Sequence, residues 1–121
     1  MGLDGCAACF GDDPVKGYEQ RDVDTIAELV DDSHFAVSIR LCRACGQRFA
    51  WVFTERVMGG PEDQHEMLLI PITVEESDAL VAAGPDGVYG VLRRLPDRRS
   101  LFRTDLGDTW YRDDLWIPGF G

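Results

Sequence analysis

The chain contains the stretch Cys42-Arg43-Ala44-Cys45-Gly46, and a second pair of the same kind, Cys6-Ala7-Ala8-Cys9, lies near its N-terminus. These two C-x-x-C pairs include all 4 cysteines. Two residues between the cysteines allow a tight turn to bring both sulfurs onto one metal ion, and a second pair completes a tetrahedral shell. Gly46 follows Cys45, at a position where such a turn needs a residue that tolerates positive φ. The spacing therefore predicts one structural Zn²⁺ site with four thiolate ligands, Cys6, Cys9, Cys42 and Cys45.

The two knuckles, the second written C-R-A-C-G-Q-R-F between two β-rich runs, give the chain a resemblance to zinc-ribbon domains. The resemblance covers the knuckles at 6–9 and 42–45 and the hairpin around the second, which is roughly a third of the chain. It implies a four-cysteine zinc site but no particular activity, because zinc ribbons serve many functions. One departure is that 32 residues separate Cys9 from Cys42, whereas compact sites have about 15–20. Residues 10–41 must therefore contain additional structure.

Disulfide bonds and thiol redox chemistry are the alternatives to zinc for these cysteines. Disulfides require an oxidising compartment, but residues 1–5 lack the basic and apolar regions of a signal peptide. We therefore expect a cytoplasmic protein. A redox C-x-x-C needs a thioredoxin-like βαβ setting, which neither pair shows. A thiol redox sensor remains an alternative that zinc release on mild oxidation would reveal.

Length and charge limit the classes of partner. With 121 residues, we expect a single domain over residues 1–121. Asp and Glu number 22 against 12 Lys and Arg, so the formal net charge is −10. Such a chain repels nucleic acid phosphates on average and favours basic protein partners. No apolar run reaches the roughly 18 residues that a membrane helix needs, so we expect no membrane partner.

Alternating apolar residues predict the strands. Residues 34–41 and 48–57 alternate on either side of the second knuckle, with Phe49, Trp51 and Phe53 on one face of the later strand. The knuckle is then the turn of a hairpin. Residues 66–73, 100–104 and 109–112 read as further strands. Pro71 cannot donate to a ladder, which indicates an edge or a bulge at that position.

Helical spacing appears in two or three places. Ile26, Leu29 and Val30 predict a short helix over residues 25–30. Thr73 and Glu76 fit a capping box that starts a helix ending near Gly84-Pro85. A further helical pattern covers residues 88–95. The sequence therefore predicts an α+β fold, with a small antiparallel sheet centred on the zinc-knuckle hairpin and two or three short helices.

Catalytic motifs are scarce in the sequence. The two histidines, His34 and His65, fit neither the H-E-x-x-H pattern nor the H-x-E pattern of zinc deaminases. The chain also lacks a phosphate-binding glycine loop and a serine nucleophile elbow. We therefore assign no catalytic residue and expect a non-enzymatic module that binds another protein.

Residues 93–103 carry five arginines and one aspartate, an exception to the acidic composition. Basic and aromatic residues together can follow a phosphate backbone, so a nucleic-acid-binding zinc ribbon is the alternative function. The competing interpretation is that these arginines neutralise acidic clusters within the protein, and the overall negative charge favours it. The candidate contact residues for nucleic acid or a partner are Arg93, Arg94, Arg98, Arg99 and Arg103.

Overall fold

The strands follow one another across a single antiparallel sheet in chain order. The computed structural model describes residues 23–31, 35–56, 64–104 and 109–112. The strands are β1 (Val23–Asp31), β2 (Phe35–Cys42), β3 (Arg48–Arg56), β4 (Gln64–Ile72), β5 (Ser100–Thr104) and β6 (Thr109–Arg112). Helix α1 (Val74–Arg94) lies between β4 and β5 in the chain. The described part of the chain is thus an α+β domain with a six-stranded sheet.

The hairpin predicted around the second C-x-x-C pair is present. Strands β2 and β3 pair in regular register, with Val37 opposite Val52 and Ile39 opposite Ala50. The alternation in β3 is also confirmed, because Ala50 and Val52 belong to one apolar cluster and Phe49 to another. Both strands are interior, although the middle of the sheet lies between β3 and β4.

The helix predicted over residues 25–30 is wrong, because these residues belong to β1, which pairs with β2. The register shifts between Thr25 and Ala27 and again between Glu28 and Val30. Each bulge inserts an extra residue, so the period-2 alternation is broken. Ala27 and Val30 therefore pack against the same cluster although they are three residues apart, a spacing that resembles a helix in the sequence.

Helix α1 covers one face of the sheet and closes the main core. Its residues Leu80, Val88 and Leu92 are at most 1% exposed. They pack against inward-facing residues of β2 to β5, namely Val37, Ile39, Ala50, Val52, Leu68, Ile70, Ile72 and Phe102. Burial of this apolar area is the main contribution to stability in such a domain.

The capping box predicted for the start of α1 is present. The amide of Glu76 donates to the Thr73 hydroxyl at 3.1 Å, and the Thr73 amide donates to Glu76 Oε1 at 2.9 Å. The two helical patterns predicted before and after Gly84 form one element, interrupted where Gly84 has φ 72° and ψ 174°. In the described ranges α1 is the helix of the fold, so a count of two or three separate helices is not confirmed.

Pro71 lies in β4, an interior strand, but beyond the part of β4 that pairs with β5. That pairing ends at Leu69 opposite Leu101, whereas Pro71 is opposite Phe49 of β3. The side of β4 toward β5 is therefore a local edge at Pro71, which agrees with the edge that its missing amide predicts. The Pro71 carbonyl instead accepts a hydrogen bond from Arg98 Nη1 at 3.1 Å.

Gly84→Ala should destabilise the protein by about 1–2 kcal/mol, because the φ and ψ of Gly84 belong to a region that is almost restricted to glycine. A Cβ at this position meets no atom within 4 Å, so the cost is conformational rather than steric. Gly90→Ala is the matched control and should stabilise the helix by about 0.5–1 kcal/mol. Urea denaturation checks both, and a neutral Gly84→Ala would contradict the strained position.

Candidate metal centre at the β2–β3 turn

Two backbone hydrogen bonds close the turn between β2 and β3, which contains the second C-x-x-C pair. Cys42 ends β2, and its carbonyl accepts a hydrogen bond from the Gly46 amide at 2.9 Å. The Cys42 amide donates to the Gln47 carbonyl, also at 2.9 Å. Gly46 has φ 79°, a conformation that favours glycine. The predicted role of Gly46 in the turn is therefore confirmed.

The two cysteines of this turn have different surroundings. Cys45 is exposed in the turn, whereas Cys42 is 1% exposed. Cys42 belongs to a second apolar cluster, on the sheet face opposite α1, with Phe49, Leu69 and Leu101. Each of these three is at most 3% exposed. One sulfur of the pair is thus anchored in a core, and the other lies at the surface.

The first strand begins beside the second cysteine pair. Val23, the first residue of β1, is paired directly with Cys42. The chain therefore enters β1 beside Cys42, directly after the segment of the sequence that includes Cys6 and Cys9. Cys6 and Cys9 themselves lie outside the described residues, and 13 residues separate Cys9 from Val23. Thirteen residues can extend over about 40 Å, so this connection is long enough to return to the turn.

An ion pair joins the turn to the start of β1. The Arg43 guanidinium donates to Asp24 Oδ2 at 2.9 Å and also to Asp24 Oδ1. This hydrogen bonding lowers the pKa of Asp24 below its ordinary value. Both side chains are about half exposed, so the pair contributes little stability. Its bidentate geometry links the start of β1, which is already paired with β2, to the β2–β3 turn.

Within the described ranges, no group of three or more His, Cys, Asp or Glu side chains could bind a metal ion. Cys42 and Cys45 supply two of the four predicted ligands. The full predicted ligand set thus includes residues outside those ranges, and the zinc site stays a prediction.

Arg98 is buried within the protein rather than presented to a partner. Its side chain is 7% exposed and donates from Nη1 and Nη2 to the Glu76 carboxylate at 2.5 and 2.7 Å. Hydrogen bonding from Arg98 is the largest cause of the lowered pKa of Glu76, and the Thr73 amide adds to it. Arg98 thus joins the start of α1 to the segment before β5.

The other four arginines of the 93–103 stretch contact residues near them in the chain or on the adjacent strand. The contacts are Arg93 over the ring of Tyr89, Arg94 with the carbonyl of Gly90, Arg99 over the ring of Tyr111, and Arg103 with the hydroxyl of Thr109. Arg93 and Arg94 belong to α1. Phe102 faces α1, so Arg103, the next residue of β5, faces the side of the sheet away from α1. The five candidate residues therefore do not form one continuous surface.

A groove between β1 and the first half of α1 was not indicated by any sequence motif. Its volume is about 410 Å³, and its lining includes Ile26, Ala27, Val81 and Arg48. The groove could not be predicted because these residues come from separate elements, and because the bulge in β1 decides which residues face it. The available signal was Val81, an apolar residue that lies off the buried stripe of α1 (Ser77, Leu80, Val88 and Leu92) and is 53% exposed.

No helix in the described ranges is long and apolar enough to cross a membrane. Comparison with known proteins gave no match to any family model, curated protein or solved structure.

Proposed function

We propose that this chain is a zinc-stabilised, non-enzymatic domain that binds another protein. In this proposal Cys6, Cys9, Cys42 and Cys45 hold one structural Zn²⁺. The observation that carries the proposal is the pairing of Val23 with Cys42 beside a closed C-x-x-C-G turn. Val23 is the residue through which the segment with the first cysteine pair enters the sheet, so its position beside Cys42 supports a site shared by the two pairs.

The chemistry of four thiolates favours a structural role for the ion. A shell of four cysteines leaves no coordination position for water or a substrate, unlike the open shell of catalytic zinc. The ion would join residues 1–22 to the end of β2, at the apolar cluster around Phe49. A metal crosslink at this point would hold the segment that carries Cys6 and Cys9 to the sheet.

The interaction role rests on composition and on exposed apolar surface. The net charge of −10 favours a partner with basic regions. Ile26, Val74 and Val81 are the large apolar side chains that remain exposed in the described ranges, at 45–53%. Ile26 and Val81 line the groove between β1 and α1. Scattered exposed apolar residues are normal, but a pair in one groove is a feature of binding sites.

Metal analysis of protein purified without a histidine tag tests the zinc assignment. We expect one zinc per chain and four thiols that are protected from modification until a chelator is added. Protein without zinc and with reactive thiols or disulfides would overturn the assignment. Zinc that is released by mild oxidation and rebound on reduction would instead identify the thiol redox sensor.

A further inference from the structure

The groove between β1 and α1 combines apolar walls with a single cation. Ile26, Ala27, Val81 and Ala82 contribute apolar surface. The volume of about 410 Å³ lies in the lower part of the range of about 300–1,000 Å³ that is typical of ligand sites. Ile26 lines the groove at the bulge between Thr25 and Ala27, which leaves this side chain outside the regular alternation of the strand.

Arg48 supplies the cation and is half-buried. Its Nη1 donates to the hydroxyl of Ser77 at 3.0 Å, and Ser77 is itself 1% exposed. No carboxylate in the described ranges pairs with Arg48. A guanidinium has five N–H donors in a planar fork that matches a carboxylate. Arg48 therefore has N–H donors left for an anionic ligand. A ligand bound to Arg48 in this groove would also lie against the apolar side chains that line it.

We propose that this groove binds the C-terminal residue of a partner protein, when that residue is aliphatic. The carboxylate would accept from Arg48, and the side chain would lie between Ile26 and Val81. A C-terminal residue carries its carboxylate and its apolar side chain on one Cα atom. Such a ligand suits a short groove in which the cation and the apolar walls adjoin. C-terminal carboxylate capture is also a recurrent mode of peptide recognition.

Asp78 is the other charged residue that lines the groove, and it is exposed. Its carboxylate repels a ligand carboxylate. Water screens this repulsion more than it screens the attraction between the ligand and the half-buried Arg48. The two charges therefore have opposite effects on an acidic ligand. Removal of Arg48 should weaken binding of the acid at least tenfold, whereas Asp78→Asn should strengthen it.

The test uses the dipeptide acid N-acetyl-Val-Leu and its C-terminal amide as matched probes, titrated into the full ¹⁵N-labelled chain. We expect the acid to shift the amide signals of Ile26, Ala27 and Val81, with a dissociation constant of roughly 1 mM or below. The C-terminal amide should bind about tenfold more weakly, because it lacks the charge that Arg48 recognises. Equal binding of the two probes, or shifts at other residues, would overturn the proposal.

Two substitutions test whether the acid binds in the groove. Arg48→Gln should weaken binding of the acid at least tenfold. Arg40→Gln should leave it unchanged, because Arg40 lies over the ring of Trp51 on the opposite face of the sheet. Unchanged binding in Arg48→Gln would also overturn the proposal. If this variant fails to fold, the comparison of acid and amide on the unmodified chain decides alone.

This inference rests on the protein-interaction role proposed above but not on the zinc site. Zinc is therefore measured on the same sample. Binding of the acid by a chain without zinc would keep the groove and overturn the metal assignment. A zinc-containing chain that does not discriminate the acid from the amide would keep the metal assignment and overturn the groove proposal.

Discussion

Cys45→Ser should lower the free energy of unfolding by at least about 4 kcal/mol, although Cys45 is exposed in the β2–β3 turn. Substitutions of exposed residues without a special role usually change stability by about 0.5 kcal/mol or less. A zinc ligand is different, because zinc contributes an apparent 10–16 kcal/mol or so to the folding of small peptides. Only part of this should be lost here, since the core under α1 does not depend on the turn.

Two further substitutions separate loss of the metal from other effects. Cys42→Ser should be at least as damaging, because Cys42 is 1% exposed and its replacement also buries a hydroxyl among apolar side chains. Ala44→Ser adds a hydroxyl to the same turn without removing a ligand, and it should be close to neutral. Urea denaturation of each protein is measured with zinc and with a chelator.

The chelator provides the decisive comparison. The unmodified chain should lose in chelator about as much stability as Cys45→Ser loses by mutation, and Cys45→Ser should lose nothing more. If Cys45→Ser has the same free energy of unfolding as the unmodified chain, Cys45 does not bind a stabilising metal ion and the zinc assignment is wrong.

The β2–β3 hairpin and the start of α1 could be predicted because each depends on local sequence. Alternation from Phe35 onward and the aromatic residues of β3 give the strands directly. Thr73 and Glu76 form two reciprocal hydrogen bonds within one turn of helix. Gly46 and Gly84, the two described residues with positive φ, are both glycines at predicted turns or helix ends.

The error in β1 has a physical cause. Two bulges in a strand of 9 residues destroy the alternation on which strand prediction depends. A bulged strand at the edge of the sheet also resists pairing with other chains, which gives a reason for such a sequence. The groove and the position of Arg98 were not predictable, because both depend on contacts between residues far apart in the chain, such as the 22 positions between Glu76 and Arg98.

Glu76→Gln should destabilise the protein by roughly 3 kcal/mol at neutral pH. Glutamine keeps the shape of the side chain and can still form the capping box with Thr73. It removes the charge that pairs with Arg98, whose side chain is 7% exposed. Breaking a buried pair on one side typically costs about 3–5 kcal/mol, and the remaining bonds of Arg98 to the Pro71 and Pro96 carbonyls place the expected loss at the low end.

Glu75→Gln is the matched control. Glu75 precedes Glu76 in the first turn of α1 but is exposed. It should therefore lose only the interaction with the helix dipole, about 0.3–1 kcal/mol. Chemical denaturation of both variants and the unmodified chain gives the comparison, and equal losses in the two variants would contradict a specific role for the Glu76–Arg98 pair.

The effect of Glu76→Gln should also depend on pH in a definite direction. Arg98 lowers the pKa of Glu76 in the folded protein below its ordinary value of 4.5. The folded state therefore keeps this carboxylate charged at pH values where the unfolded chain already binds a proton. The stability that the pair contributes is complete above about pH 4.5, and it disappears as the pH falls through the pKa that Glu76 has in the folded protein. The difference between the unmodified chain and Glu76→Gln should shrink over this acidic range. A difference that stays constant as the pH falls would mean that the Glu76 charge is not what stabilises the junction of α1 with the segment before β5.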